Sequence, residues 1–135
     1  MKKCLIGLMS FLVCFMLAAC SVEKLKTEKL RDIEFTVLNE NEIPEEFMTE
    51  ISEREKKTFK LTYEDQGYLY IAEGYGRQES SGYSIQVGEL YETENAIYVR
   101  TDLIGPTNDE AIVERPTYPY IVLKMESVDK HVVFQ

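Results

Sequence analysis

A chain of 135 residues is long enough for one folded domain and too short for two ordinary ones. It carries 15 Lys and Arg against 24 Asp and Glu, a formal net charge of −9, so nucleic acid and anionic headgroups are repelled rather than attracted. A single histidine and three cysteines, all three within the first 20 residues, leave too few of the usual ligands for a zinc site.

Lys2 and Lys3 give a basic start, and an apolar run from Cys4 to Leu17 follows, broken only by Gly7 and Ser10. The run is shorter than the ~20 residues a membrane-spanning helix needs. With the small residues of Leu17-Ala18-Ala19-Cys20 behind it, it has the three parts of a secretory signal.

The cysteine placed directly after Leu-Ala-Ala resembles the lipobox of bacterial lipoproteins. That resemblance implies a diacylglycerol thioether on Cys20, cleavage just before it, and a protein held on the extracytoplasmic face of a bacterial membrane. An uncleaved anchor and a plain secretory signal are the alternatives. On the lipoprotein reading, residues 1–19 are the signal, 20–32 a tether and 33–135 the folded domain. Cys4 and Cys14 then leave with the signal, and the domain has neither thiol nor disulfide. Without Lys2 and Lys3, 13 basic residues face 24 acidic ones, a net −11, so the lipid must hold the membrane without help from a basic patch.

Ser21–Arg31 is charged and lacks a sustained apolar pattern, which fits a tether of at most ~40 Å when extended; the alternative is a first helix docked through Leu25 and Leu30. Phe35 and Val37 alternate with polar neighbours and predict a strand over Glu34–Leu38. A helix is predicted over Pro44–Lys57. Proline suits a first helical position, Glu45 and Glu46 sit at the positive end, Arg54, Lys56 and Lys57 at the negative end, and Phe47, Met48 and Ile51 share an apolar face.

The remainder reads as strands. Phe59, Leu61 and Tyr63 alternate with polar residues, and Glu64–Gly67 forms a turn. Tyr68–Ala72 is apolar on both faces, which suits a central strand. Tyr83, Ile85 and Val87 alternate in the next strand, and Glu92–Asn95 is a second turn. Ile97, Val99, Thr101 and Leu103 mark another strand, and a polar loop runs over Gly105–Thr117. Ile121, Leu123 and Met125 mark a further strand and Val132–Phe134 a short last one. Short turns between successive strands favour antiparallel pairing. The fold class is α+β, a mainly antiparallel sheet of about six or seven strands, sandwich-like or half-barrel, with one amphipathic helix.

Little here resembles catalytic machinery. Gly82-Tyr83-Ser84-Ile85-Gln86 approaches the G-x-S-x-G elbow, but Val87 follows and a strand continues where the elbow needs a helix. The only base of the right type, His131, lies far along the chain. Asn108-Asp109-Glu110 lacks the spacing of a calcium loop, and Gly74-Tyr75-Gly76 lacks the third glycine of a phosphate cradle. No carboxylate pair stands out for glycoside hydrolysis. No catalytic residue, metal ligand or cofactor is assigned.

Two segments have the composition of recognition loops. In the first, Tyr75, Arg77, Gln78, Ser80, Ser81, Gly82 and Tyr83 combine small polar residues with aromatic ends, where tyrosine offers contact area with few torsions to freeze. In the second, Arg115, Pro116, Thr117, Tyr118 and Pro119 are stiffened by two prolines. A hairpin loop and a stiff connector, with tyrosines packed into the sheet, are the plainer reading of both.

Ser81-Gly82-Tyr83-Ser84-Ile85 and Thr117-Tyr118-Pro119-Tyr120-Ile121-Val122-Leu123 resemble the two motifs of the PrcB C-terminal family, T-G-G-Y leading into a strand and T-x-P-Y before an apolar strand. The resemblance covers about Tyr68 to Met125, with Ser81 standing where a glycine is usual. It implies a non-enzymatic lipoprotein subunit that binds or stabilises an exported protease complex or another extracytoplasmic protein. Ser80-Ser81-Gly82-Tyr83 and Glu114-Arg115-Pro116 are similar, more weakly, to the loops of chagasin-type protease inhibitors, although the chain has no tryptophan. Inhibition of a peptidase is therefore the alternative function, and an unrecognised hydrolase the third.

Overall fold

The computed structural model describes residues 28–135. The expected signal, Cys20 and positions 20–27 of the expected tether lie outside the described residues. The elements are β1 (Arg31–Asp32), β2 (Thr36–Val37), α1 (Glu45–Arg54), β3 (Thr58–Asp65), β4 (Tyr68–Tyr75), β5 (Ser84–Glu92), β6 (Ala96–Ile104), β7 (Tyr120–Glu126) and β8 (His131–Phe134).

The strands form two four-stranded sheets, ordered β1-β5-β6-β8 and β2-β7-β4-β3. Leu90, Ile97 and Val99 of the first sheet meet Leu69, Ile71, Ile121, Leu123 and Met125 of the second in one buried cluster, so the sheets pack face to face. Helix α1 covers the outer face of the second sheet, where Phe47 and Ile51 are fully buried against Phe59, Tyr70, Ala72 and Val122. The molecule therefore has three layers, and β4 and β7 lie in the middle one. This explains why Tyr68–Ala72 reads as apolar on both faces: Leu69 and Ile71 point between the sheets, Tyr70 and Ala72 toward the helix. The sandwich-like arrangement holds, with eight strands and no barrel closure among the described residues.

Local chemistry sets the element ends. Pro44 stands at the N-cap of α1 rather than inside its first turn, with φ −53° and ψ 138°. The helix stops at Arg54, three residues before the expected end, because the backbone must extend again at Thr58 to start β3. The β3–β4 turn is tighter than expected: Gln66 and Gly67, with φ of 51° and 83°, make a two-residue connection whose twist suits a hairpin. At the β5–β6 hairpin, Thr93 is 1% exposed and its Oγ1 accepts from the Ala96 amide at 3.2 Å, which pins the turn from inside.

Three features depart from the sequence reading. The strand expected over Glu34–Leu38 shortens to β2, and an unexpected two-residue strand, β1, precedes it in the other sheet, so the chain crosses between the sheets from one to the other. Buried Ile33 anchors that crossing, while Phe35 and Val37 stay exposed. Within the stretch read as a tether, the Leu30 amide donates to Glu92 O at 2.8 Å, the first backbone pairing among the described residues, and the Leu30 side chain is exposed. Finally, β8 pairs with β6 in parallel, because the chain changes sheets after β7 and re-enters in the direction of β6.

Candidate functional site

The antiparallel register brings the two candidate loops to one end of the sandwich. Tyr120 at the start of β7 stands opposite Gly74 near the end of β4, and Ser84 at the start of β5 stands opposite Ile104 at the end of β6. The β4–β5 and β6–β7 connections therefore both cross between the sheets at the same pole. Their backbones are joined there. Gln78 N donates to Thr117 O at 2.8 Å and Thr117 N to Gln78 O at 3.0 Å, an isolated antiparallel bridge. Thr117 Oγ1 donates to Ser80 O at 2.7 Å, Ser81 N to Val113 O at 3.0 Å, and Val113 N to Ser81 Oγ at 2.8 Å. Five hydrogen bonds make the two loops one platform, with little loop entropy left to lose on binding.

Gly82 is the tight point. Its φ is +91°, and a Cβ there would sit 2.8 Å from Pro106 Cβ and 3.3 Å from Ile112 Cγ2. Only glycine accepts both the backbone angle and the contact.

The candidate residues divide by exposure. Arg77, Gly82, Arg115 and Pro116 are exposed, and Arg77, Arg115 and Pro116 border one shallow depression with Ser80 and Ile112. Gln78, Ser81, Tyr83, Thr117, Tyr118 and Pro119 are half-buried and Ser80 is buried, so these build the platform more than they display from it. The Tyr75 hydroxyl turns inward and shares a short hydrogen bond with Thr101 Oγ1. Burial raises the Tyr75 pKa above the ordinary phenol value, against the opposing effect of that bond. Arg77 meets only the exposed Glu79, at 4.0 Å, and the Arg115 guanidinium has no ion pair among the described residues. Two apolar residues that the sequence reading absorbed into a polar loop complete the surface: Ile112 and Val113, 42% and 56% exposed. Their signal was available, an apolar pair inside Gly105–Thr117.

The serine elbow does not assemble. Ser84 opens β5 as an exposed strand residue, so no elbow forms. Ser84 pairs with Ile104 and His131 with Ala96, on opposite edges and opposite ends of β6, which separates them by ~26 Å along the strand. Among the described residues no group of three or more His, Cys, Asp or Glu is placed to hold a metal ion.

The β4-to-β7 unit that carries both loops coincides with a known family: the model described as PrcB C-terminal matches residues 69–126. Residues 69–126 are thus similar to the PrcB C-terminal family. No curated protein and no solved structure matches the chain. The matched segment takes in both halves of the platform, whereas β1, β2, α1, β3 and β8 are built around it.

Proposed function

We propose that this protein is a lipid-anchored, non-enzymatic interaction subunit that binds an exported protease complex through the loop platform. The observation that carries the reading is polar separation. The chain enters at Leu30, beside Glu92 at one end of β5, and the platform stands beyond Ser84 at the other, ~26 Å away along the strand. An anchor on Cys20 would leave that pole facing away from the bilayer. The platform has the composition of a binding surface: two stiffened loops, an unpaired arginine and an exposed aliphatic pair. Its family match supports a role tied to a protease complex.

The test uses the full chain in membranes. Recovery of peptidase activity with the solubilised protein, and the half-life of that peptidase, are measured for wild type, Arg115→Glu and Ile112→Asp. The proposal expects both variants to lose the associated activity and shorten the half-life; unchanged recovery with both would refute it. Turnover that rises when the platform is mutated would instead favour the inhibitor reading. Lipid labelling of wild type and Cys20→Ala tests the anchor separately.

A further inference from the structure

Beside the platform, the two sheets do not close over each other. The β6–β8 pairing ends at Val99 and Phe134, so among the described residues Arg100–Ile104 has β5 on one side and no strand on the other. The lane that β8 leaves lies over the end of the β3–β4 pair. There Thr58 stands opposite Tyr75 and Lys60 opposite Glu73, all four on the face turned toward the first sheet. Thr58, Lys60, Glu73 and Tyr75 line an open slot of about 500 Å³.

Glu73 is the anomaly in this slot. It is only 8% exposed, and its Oε2 has no hydrogen-bond donor among the described residues. Burial pushes its carboxyl pKa above the ordinary value, while Thr101 and Lys60 pull it down. The obvious counter-ion does not engage: the Lys60 ammonium lies 5.9 Å over the Phe134 ring, and no ion pair joins it to Glu73. Burying a carboxylate without a full set of partners is costly, and a cation arriving with its own donors removes that cost. Among the described residues Glu73 belongs to no group of three or more His, Cys, Asp or Glu that could hold a metal ion. The slot is open to the surface, and Tyr75 on its wall is hydrogen-bonded to Thr101 of β6, within the stretch that β8 leaves unpaired. Both features favour a basic side chain carried on an extended backbone over a free ion.

We propose that the slot between β3–β4 and the open edge of β6 is a binding site for an extended protein segment, which inserts an arginine or lysine side chain toward Glu73. The segment lies along Arg100–Ile104 in the lane beyond β8, and its cationic head pairs with the Glu73 carboxylate. Lys60 competes with it for the same charge. The site is separate from the loop platform, and it stands whether or not the platform binds a protease.

The test is a titration of the isotope-labelled full chain with two capped pentapeptides, one with arginine between two Thr-Val arms and one with citrulline, its neutral isostere, in that place. Expected are saturable amide shifts confined to 58–60, 73–75 and 100–104, with the citrulline peptide weaker by about tenfold, the equivalent of ~1.4 kcal/mol. Glu73→Gln is expected to abolish the preference for arginine, and Lys60→Met to tighten arginine binding by removing the competitor. The second variant keeps the proposal falsifiable should the first disturb the fold. Arg115→Glu should leave the titration unchanged. Equal affinity for the two peptides, or absence of binding by the arginine peptide, overturns the proposal; so does Lys60→Met weakening it.

Discussion

Gln78 and Thr117 exchange both of their backbone hydrogen bonds, at 2.8 and 3.0 Å, although 39 positions separate them in the chain. That single bridge converts two inter-sheet crossings into one surface. Thr117 contributes again through Oγ1, which donates to Ser80 O. Thr117→Val keeps the shape and deletes this donor, leaving a partly buried carbonyl unpaired. A loss of about 1 kcal/mol is expected in urea unfolding. Faster amide exchange at Gln78 and Ser81 should accompany it, with β4 unaffected. Unaltered exchange at both amides would show that the bridge does not depend on the side chain.

Gly82→Ala tests the shape of the platform. The left-handed backbone angle alone costs ~1–2 kcal/mol for a residue with a Cβ. Contact with Pro106 and Ile112 adds to it. Gly67→Ala is the control, since Gly67 has a φ of +83° and nothing within 4 Å of an added Cβ. Gly82→Ala should therefore destabilise more than Gly67→Ala and also weaken capture of the peptidase, whereas Gly67→Ala should leave capture intact. Equal thermal shifts for the two would remove the packing argument.

Much of this architecture was legible because the pattern is local. Phe47 and Ile51 fall on one helical face, Phe59, Leu61 and Tyr63 alternate, and Tyr68–Ala72 is apolar throughout, so the helix, an alternating strand and a central strand follow from spacing alone. What escaped is set by long-range pairing. The two-residue strands β1 and β2 have too few residues for any period to appear, and their pairing depends on Glu92 and Lys124, far along the chain. The parallel entry of β8 depends on which sheet the chain rejoins after Ser127, which short-turn arguments do not decide. At the platform the loop residues were readable by composition, but their division into Arg77 and Arg115 outside and Ser80 and Tyr75 inside required the register.

The helix layer is tested by Phe47→Ala. Phe47 is fully buried, and its ring stacks on Tyr63 at 5.3 Å between centroids. Its removal opens a cavity between α1 and the second sheet, with an expected loss of about 3–5 kcal/mol. Met48, half-buried on the same helix, should cost clearly less as alanine. Chemical denaturation of both variants measures the difference; comparable losses would mean that the layer is not anchored at Phe47.

Two carboxylates give the fold opposite responses to pH. Glu92 receives Lys130 Nζ at 2.6 Å and Arg31 Nε at 2.7 Å, and these bonds, Lys130 first, hold its pKa below the ordinary value of 4.5. Its folded form thus binds protons less readily than the unfolded chain, so its stabilisation is present above pH 4.5 and fades as pH falls through the lower folded value. Glu73 is the reverse: burial raises its folded pKa above 4.5, so the penalty for its charge is absent below pH 4.5 and grows as pH rises through the folded value. Glu92→Gln should lower the thermal midpoint at pH 7 and approach wild type in acid, while Glu73→Gln should raise it at pH 7 and also converge in acid. Melting curves from pH 3 to 8 on the three proteins measure both. The same sign of change in the two variants at pH 7 would contradict the opposite environments of Glu92, bound by two cations, and Glu73, bound by none.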